Sequence, residues 1–440
     1  MIPTSTFVTS LDIQKEVLPT ECPGYPNISS YKVKIIMKNN RKNIIEFTSL
    51  DCEMCLRSTL IRNFEKFVEY SLNADGIIVS PQTSNFAMKM LPILNKLLIE
   101  PYEHDQRRPL QKSFPQIHAL NALLRFSGIT QIEYHKKDPL LKINLNTYDQ
   151  WKTFTDEEKY WNLFPILLYD GIAEALGESH FMSHCFVGFD QLLHKGPSEW
   201  EFPEYQDQEI FQHSTLKPHL LGFFDLFGFI EVTRTKPEPG AAWRYTSIRP
   251  TSLGLNIAKT ISDDKDNLSE YVFQNAFEEL RCYLHKAFSS FVPNWQKVFK
   301  TEIAKPIEKV HVLKVTLCKS WKTLTVNAYW TLSDLASTIL KAFKFDQDHL
   351  YYFKYKGPNG NDIKAYHYAV SDEIIYADDI TVGSLCLSIG QTFTFLFDFG
   401  DAWEFKLQLV SLETPNDGKN RPLILASGGD PVPEQYMTFN

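Results

Sequence analysis

Three carboxylates and an indole fall within the short run Asp398-Phe-Gly-Asp401-Ala-Trp403-Glu404. Side chains alternate faces along a strand. Phe393, Phe395, Phe397 and Phe399 are therefore expected to share a core-facing side, with Asp398 on the other. Gly400 is expected to break that alternation with a bulge or tight bend. The bend would swing Asp398 and Asp401 toward Glu404, and Asp348 and His349 of an earlier segment can join them. Such a group could hold a divalent cation through oxygen ligands or supply an acid and a base. The same residues also have a purely structural reading. Asp beside Gly at a bend caps backbone amides, and Trp403 becomes a half-buried residue whose indole N–H needs a partner.

A second group lies just upstream. Tyr351, Tyr352, Tyr355, Tyr366 and Tyr368 alternate with Lys354, Lys356 and Lys364. Aromatic rings and ammonium groups in this mixture can stack on nucleobases and touch phosphates, or form a cross-strand aromatic ladder. Trp403 and Tyr351 are the recognition candidates here, and Lys136 and Lys137 at an upstream hairpin tip are the phosphate-facing ones. Acidic residues outnumber basic ones over residues 308–440, and the whole chain carries a net charge of −8. Both facts weigh against an extended nucleic-acid surface.

Other chemistries lack their parts. Cys52-Glu-Met-Cys55 is a lone pair of thiols without a second pair nearby, so no zinc site is expected there. His180 and His184 stand at i, i+4 but no Glu follows the first, so a polar surface pair or loop is expected in place of a zincin helix. Asp398-Phe-Gly400 matches a kinase triplet by letters, yet no phosphate loop or catalytic loop accompanies it. The seven cysteines are odd in number and scattered, which suits a reducing, cytoplasmic setting better than a disulfide framework. The N-terminus shows no basic region followed by an apolar run, and no run of about 18 apolar residues predicts a membrane span.

The elements that must position these residues change character along the chain. Residues 1–30 read as an extended, proline-bearing arm, and a strand is expected from Tyr31. Helices are expected at about 53–73, 85–99 (broken at Pro92), 114–127, 156–177, 216–229 and 267–291. Hairpins are expected after two of them, around Pro139 and around the turn at 237–240. Helix followed by hairpin, twice, is the grammar of winged-helix modules and equally of a helical scaffold that merely packs. The second hairpin offers Arg234, Lys236 and Arg244 to phosphates. From about residue 308 the pattern becomes ββα followed by several strands.

In that last region Ala342–Phe353, Phe395–Glu404 and Ser427–Tyr436 occur in order. They resemble the helix-end and His-Leu motif, the Tyr-Asp-Phe-Gly-Asp-x-Trp-Glu-His signature and the Pro-Pro-Glu closing segment of the plasmid pRiA4b ORF-3-like family. The resemblance implies a plasmid or transposon passenger domain without an assigned activity. Phe405 stands where the signature has His, Val432 replaces the first closing Pro, and Phe345 stands where Trp is common. A role for that His in relatives is closed to this chain.

The expected fold is α+β. It comprises an N-terminal arm and helical subdomain (1–110), a mainly helical region with two helix-hairpin units (111–300), and a mostly antiparallel sheet with a packed helix (305–440). The expected function is non-enzymatic binding or adaptor work in a mobile-element or defence context, recognising a partner protein, a ligand or nucleic acid, with no membrane. The competing expectation is a metal-dependent hydrolase or nuclease built on Asp398, Asp401 and Glu404. No cofactor is assigned beyond that divalent cation, and the oligomeric state is left open.

Overall fold

The computed structural model describes residues 55–134, 138–201, 217–237, 239–240, 243–273, 277–289, 292–300, 305–370, 375–414 and 423–431. The fold is α+β. Its N-terminal part is helical with two small sheets, and its C-terminal part is one seven-stranded antiparallel sheet.

The helical part runs α1 (Leu60–Asn73), β1 (Ile77–Ile78), α2 (Leu91–Leu97), α3 (Pro115–Phe126), β2 (Thr130–Glu133) and β3 (Leu140–Ile143). It continues through α4 (Leu145–Trp151), α5 (Asp156–Leu167), α6 (Ile172–Leu176), α7 (Phe181–Lys195), β4 (Trp200–Glu201) and α8 (Pro218–Leu226). It closes with β5 (Ile230–Arg234), β6 (Tyr245–Pro250), α9 (Ser252–Asp263), α10 (Lys265–Phe273) and α11 (Phe277–Phe288). Both expected hairpins form, β2 with β3 and β5 with β6, and each gains a short outer strand in the orders β1-β3-β2 and β4-β6-β5.

Local chemistry explains the helix ends. Thr155 and Glu158 form a reciprocal capping box that starts α5, satisfying two otherwise orphaned donors. Pro165 falls in its last turn and removes a backbone donor, so the helix expected over 156–177 splits into α5 and α6. The expected 267–291 helix likewise splits into α10 and α11, and the expected 85–99 helix shortens to α2, with Pro92 in its first turn. The strand expected from Tyr31 and the thiol Cys52 lie outside the described residues.

Helix α3 is the centre of this part. All of its residues are buried, including Gln116, His118, Asn121 and Arg125. It packs on α8, where a Cβ at Gly222 would lie 2.6 Å from the Pro115 backbone. In both helix-hairpin units the helix that would enter a nucleic-acid groove is therefore inside the protein. Arg234 of the second hairpin is also engaged. It pairs with Asp225 at 2.9 Å and lies 4.3 Å over the Tyr102 ring, which removes it from the phosphate-facing set.

The C-terminal part comprises β7 (Val310–Leu317), β8 (Ser320–Val326), α12 (Leu332–Phe343), β9 (Tyr351–Lys356), β10 (Asp362–Tyr366), β11 (Thr392–Phe397), β12 (Trp403–Glu413) and β13 (Ile424–Gly428). Strand order is β10-β9-β11-β12-β7-β8-β13. Helix α12 opens with a Thr331–Asp334 capping box and ends on left-handed Lys344. Its apolar stripe, Leu332, Leu335, Ile339, Leu340 and Phe343, packs against Phe353, Phe395, Phe405 and Leu407 of the sheet.

The tight turn 357–361 between β9 and β10 is inserted into the helical part. Arg125 donates from Nε to the Asn359 carbonyl (2.6 Å) and from a terminal nitrogen to the Asn361 side chain (3.1 Å). Ile132 N–H donates to Pro358 O, and Asn361 donates to Gly171 O. Gly360 has φ +79°, and a Cβ there would lie 2.3 Å from Ser84 Oγ. Both conformation and space require glycine. Arg125→Ala is expected to destabilise the protein by about 3 kcal/mol, because buried acceptors lose a charged donor, and Gly360→Val to release the turn. Hydrogen exchange at the amides of Ile132 and Asp362 reads the release.

Burial lowers the His118 pKa to about 4. Its Nδ1 accepts from Gln111 and its Nε2–H donates to Leu176 O, so the folded protein holds a neutral ring. The unfolded chain takes up a proton below its ordinary value of 6.5. The stability from His118 is thus full above that value and is lost as pH falls toward 4. Urea unfolding at stepped pH is expected to show this slope, and His118→Gln to flatten it.

Candidate functional site

The acidic bend is a five-residue turn joining β11 to β12, across the Phe397–Trp403 pair. Its shape is set by Asp398 (φ 60°) and Ala402 (φ 53°). Gly400 does not adopt a left-handed φ. The alternation therefore breaks at Asp398, two residues earlier than expected. Phe393, Phe395 and Phe397 are buried, while Phe399 falls beyond the strand and is 46% exposed.

Asp398 serves the turn. Its Oδ1 accepts from the Gly400 amide at 2.8 Å and from the Asp401 amide at 3.4 Å. Its own amide and carbonyl bond Leu350 O and the Ala402 amide. The second carboxylate oxygen faces His349 Nε2 at 3.6 Å, and the same nitrogen lies 3.7 Å from Asp348. Asp348, His349 and Asp398 are thus neighbours, as expected.

The expected convergence of Asp398 with Asp401 and Glu404 does not occur. Asp401 projects from the exposed tip of the turn. Glu404 sits on β12 with its neighbour Phe405 buried on the opposite side, so it belongs to the outer face of the sheet. Among the described residues, no three ligand atoms from this set gather within 4.8 Å of one another. The physical reason is the left-handed backbone at Asp398, which turns its carboxylate onto the Gly400 and Asp401 amides while Glu404 stays on the outer face of β12.

Trp403 is half-buried and packs edge-on against Phe345 at 5.2 Å, with its Nε1 unpaired. The partner expected for that N–H is missing among the described residues. Tyr351, expected as a recognition residue, is 7% exposed, packs on Phe353 and Phe395, and donates its hydroxyl to Ser333 at 2.9 Å. It is a core residue, because Tyr351, Phe353 and Tyr355 occupy the inner side of β9. Lys136 and Lys137 lie outside the described residues.

The remaining positions of β9, β11 and β12 build the outer face. Register places Lys364, Lys354, Thr394 and Lys406 in one row across four strands, and Tyr366, Tyr352, Leu396 and Glu404 in the next. Asp362 bridges Lys354 (2.9 Å) and Lys356 (2.8 Å). Burial alone would raise the Asp362 carboxyl, but the two ammonium groups outweigh it and hold it below the ordinary range. Lys364 lies 4.9 Å over the Tyr352 ring. Lys406 has no ion-pair partner among the described residues.

This face forms the floor of an open groove of about 440 Å³. Pro81, Tyr134 and Pro139 of the helical part make one wall, and Gly390, Gln391 and Thr392 make its far end. Burial pushes the Tyr134 hydroxyl up to about 12, so it stays protonated. The lysines were legible in the sequence as an alternating set, but the prolines and Tyr134 were not, because they reach the groove from over 200 residues away.

Residues 309–438 match the plasmid pRiA4b ORF-3-like protein family. The match covers the whole C-terminal sheet and helix α12. No curated protein matches the chain. Among solved structures it is similar to a protein of unknown function from Methanosarcina mazei Go1. That likeness is 24% identical over 29% of this chain and 74% of the other, with a TM-score of 0.27. Within the matched region, Phe405, at the signature's His position, is fully buried against Phe343, Phe345 and Phe395. In this chain the position is core.

If the acidic bend is a backbone cap, its acids differ sharply in cost. Asp398→Ala is expected to destabilise by about 2 kcal/mol through the lost carboxylate–amide bonds, and Asp401→Asn to change stability by under about 0.5 kcal/mol. Ala402→Gly is expected to stabilise by about 1 kcal/mol, since only glycine adopts this φ without penalty. Chemical denaturation of the three variants measures all of this.

Proposed function

We propose that this protein is a binding protein that holds an acidic segment of a partner protein along the outer face of its C-terminal sheet. The observation that carries this reading is the groove floor. Lys354, Lys356 and Lys406 line it together with Asp362 and Glu404, and Lys364 adjoins them on the same face, inside a chain whose net charge is −8. A cationic strip on an anionic protein steers and orients an anionic partner. The wall of Pro81, Tyr134 and Pro139 suits the apolar parts of a peptide.

Neither competing reading has comparable support. A metal-dependent hydrolase needs converging acids, and Asp398 is occupied by main-chain amides while Glu404 faces elsewhere. Duplex readout by a winged-helix-like unit needs an accessible helix, and α3 is buried on every side. No helix among the described residues is long and apolar enough to cross a membrane. A cytoplasmic location and a mobile-element or defence setting belong to the same proposal and rest on cysteine usage and on the family resemblance.

The test is fluorescence anisotropy with a labelled glutamate-rich peptide and an oligonucleotide of equal charge. The peptide is expected to bind with an affinity that falls as salt rises. Lys406→Glu and Lys364→Glu, which break no structural ion pair, are each expected to weaken it roughly five- to tenfold. Binding that ignores both substitutions, or a clear preference for the oligonucleotide, overturns the proposal.

A further inference from the structure

Away from the groove, the turn between α6 and α7 meets the start of α8. Here one ring nitrogen each of His184 and His219 and one carboxylate oxygen of Glu178 lie within 4.8 Å of one another. Glu178 follows Gly177, the left-handed residue that ends α6. His184 lies one turn into α7 and His219 in the first turn of α8. Three separate segments supply the group, so the His180/His184 spacing could not reveal it: His184 associates with Glu178 and His219.

Two observations single this cluster out. His219 is 7% exposed, and its Nε2 has no hydrogen-bond partner. His184 Nδ1 is buried and equally unpaired. Buried polar groups in folded proteins nearly always have partners, and each exception calls for a missing one. The His219 Nδ1 stands 3.6 Å from Glu178 Oε1, too far for a good hydrogen bond. Phe181 fixes the His219 ring from behind at 5.9 Å between centroids.

We propose that Glu178, His184 and His219 bind a zinc-type divalent transition-metal ion. Two imidazoles and one carboxylate form a donor set that suits such an ion, whereas Mg²⁺ and Ca²⁺ prefer all-oxygen surroundings. Desolvation favours the neutral form of both rings, which leaves lone pairs for a metal. Lys112 and Lys217 each approach one oxygen of Glu178 at 3.2 Å and compensate its charge when no metal is bound. An arriving cation must displace one of them. The Lys112 side chain is 49% exposed and can swing into solvent. Water then completes the coordination.

The test uses the full-length chain, stripped with chelator and titrated with Co²⁺ as a spectroscopic probe and Zn²⁺ as a competitor. One equivalent of Co²⁺ is expected to give the visible bands of a tetrahedral site, abolished by Zn²⁺ and not by Mg²⁺. His184→Ala, on the open side of the cluster, and Glu178→Gln are each expected to weaken binding by more than about tenfold. Lys112→Ala keeps every ligand and removes a competing cation, and is expected to tighten binding roughly fivefold. Absence of stoichiometric binding overturns the proposal. So does binding that survives His184→Ala, which would point to the exposed thiols of Cys282 and Cys318. A Lys112→Ala variant that binds no tighter overturns it as well, because the lysines would then be a structural ion pair only.

Discussion

A buried guanidinium is the central link between the helical part of this protein and its C-terminal sheet. Arg125 lies in the last turn of a helix that has no solvent-facing side, and its side chain reaches the turn at 357–361. Burial lowers its pKa to about 10, which still leaves it charged at neutral pH. A buried charge is tolerated only when its donors are satisfied. The carbonyls of Asn359 and Thr83 and the side-chain oxygens of Asn121 and Asn361 do this. The register of the sheet against the helical part follows from that demand. Pro81, Tyr134 and Pro139 stand beside the lysine face with the turn seated on Arg125 and Gly360 fitted against Ser84.

How much of this the sequence disclosed depends on the range of the interaction. The α+β class, the two hairpins and the ββα start of the last region follow from local periodicity and turn residues, and they appear where expected. Helix lengths were less legible: α5 stops at Leu167, two residues past Pro165, where side-chain periodicity alone carries the helix on. The burial of α3 was not legible at all. Gln116, His118, Asn121 and Arg125 look like a solvated stripe, and they are interior because Asp225, Ser84 and Asn359 arrive from distant positions, and Gln111 from the preceding turn, to pair with them.

The acidic bend makes the same point at short range. Asp-Phe-Gly-Asp reads as a loop whose glycine supplies the turn and whose acids supply chemistry. In the structure an aspartate and an alanine take the left-handed conformations, and the first acid is consumed in bonding the amides that this conformation exposes. Asp and Asn tolerate such a φ better than other side-chain-bearing residues because they bond locally. A conspicuous run of carboxylates can therefore be a turn's own requirement. The neighbourhood of Asp398, His349 and Asp348 was foreseeable from the motif, and the separation of Asp398 from Glu404 was not, because it follows from the left-handed φ of Asp398.

Helix α3 lies between the groove and the histidine cluster, and its burial argues that the two work independently. Its last turn holds the 357–361 turn, and its first residues contact the segment before Glu178 through His118 and the Leu176 carbonyl. At 1.5 Å per residue the helix is about 18 Å long, short enough to suggest communication. Spatial intermediacy is not coupling, however. Transmission needs an element with two discrete arrangements that both sites bias. A helix packed on every face, with Gly222 pressed against its first residue and its polar side chains committed to fixed partners, has a single arrangement close in energy. Its role is to fix two distances at once, so that the lysine face and the Glu178 cluster each present a preformed geometry to whatever binds them.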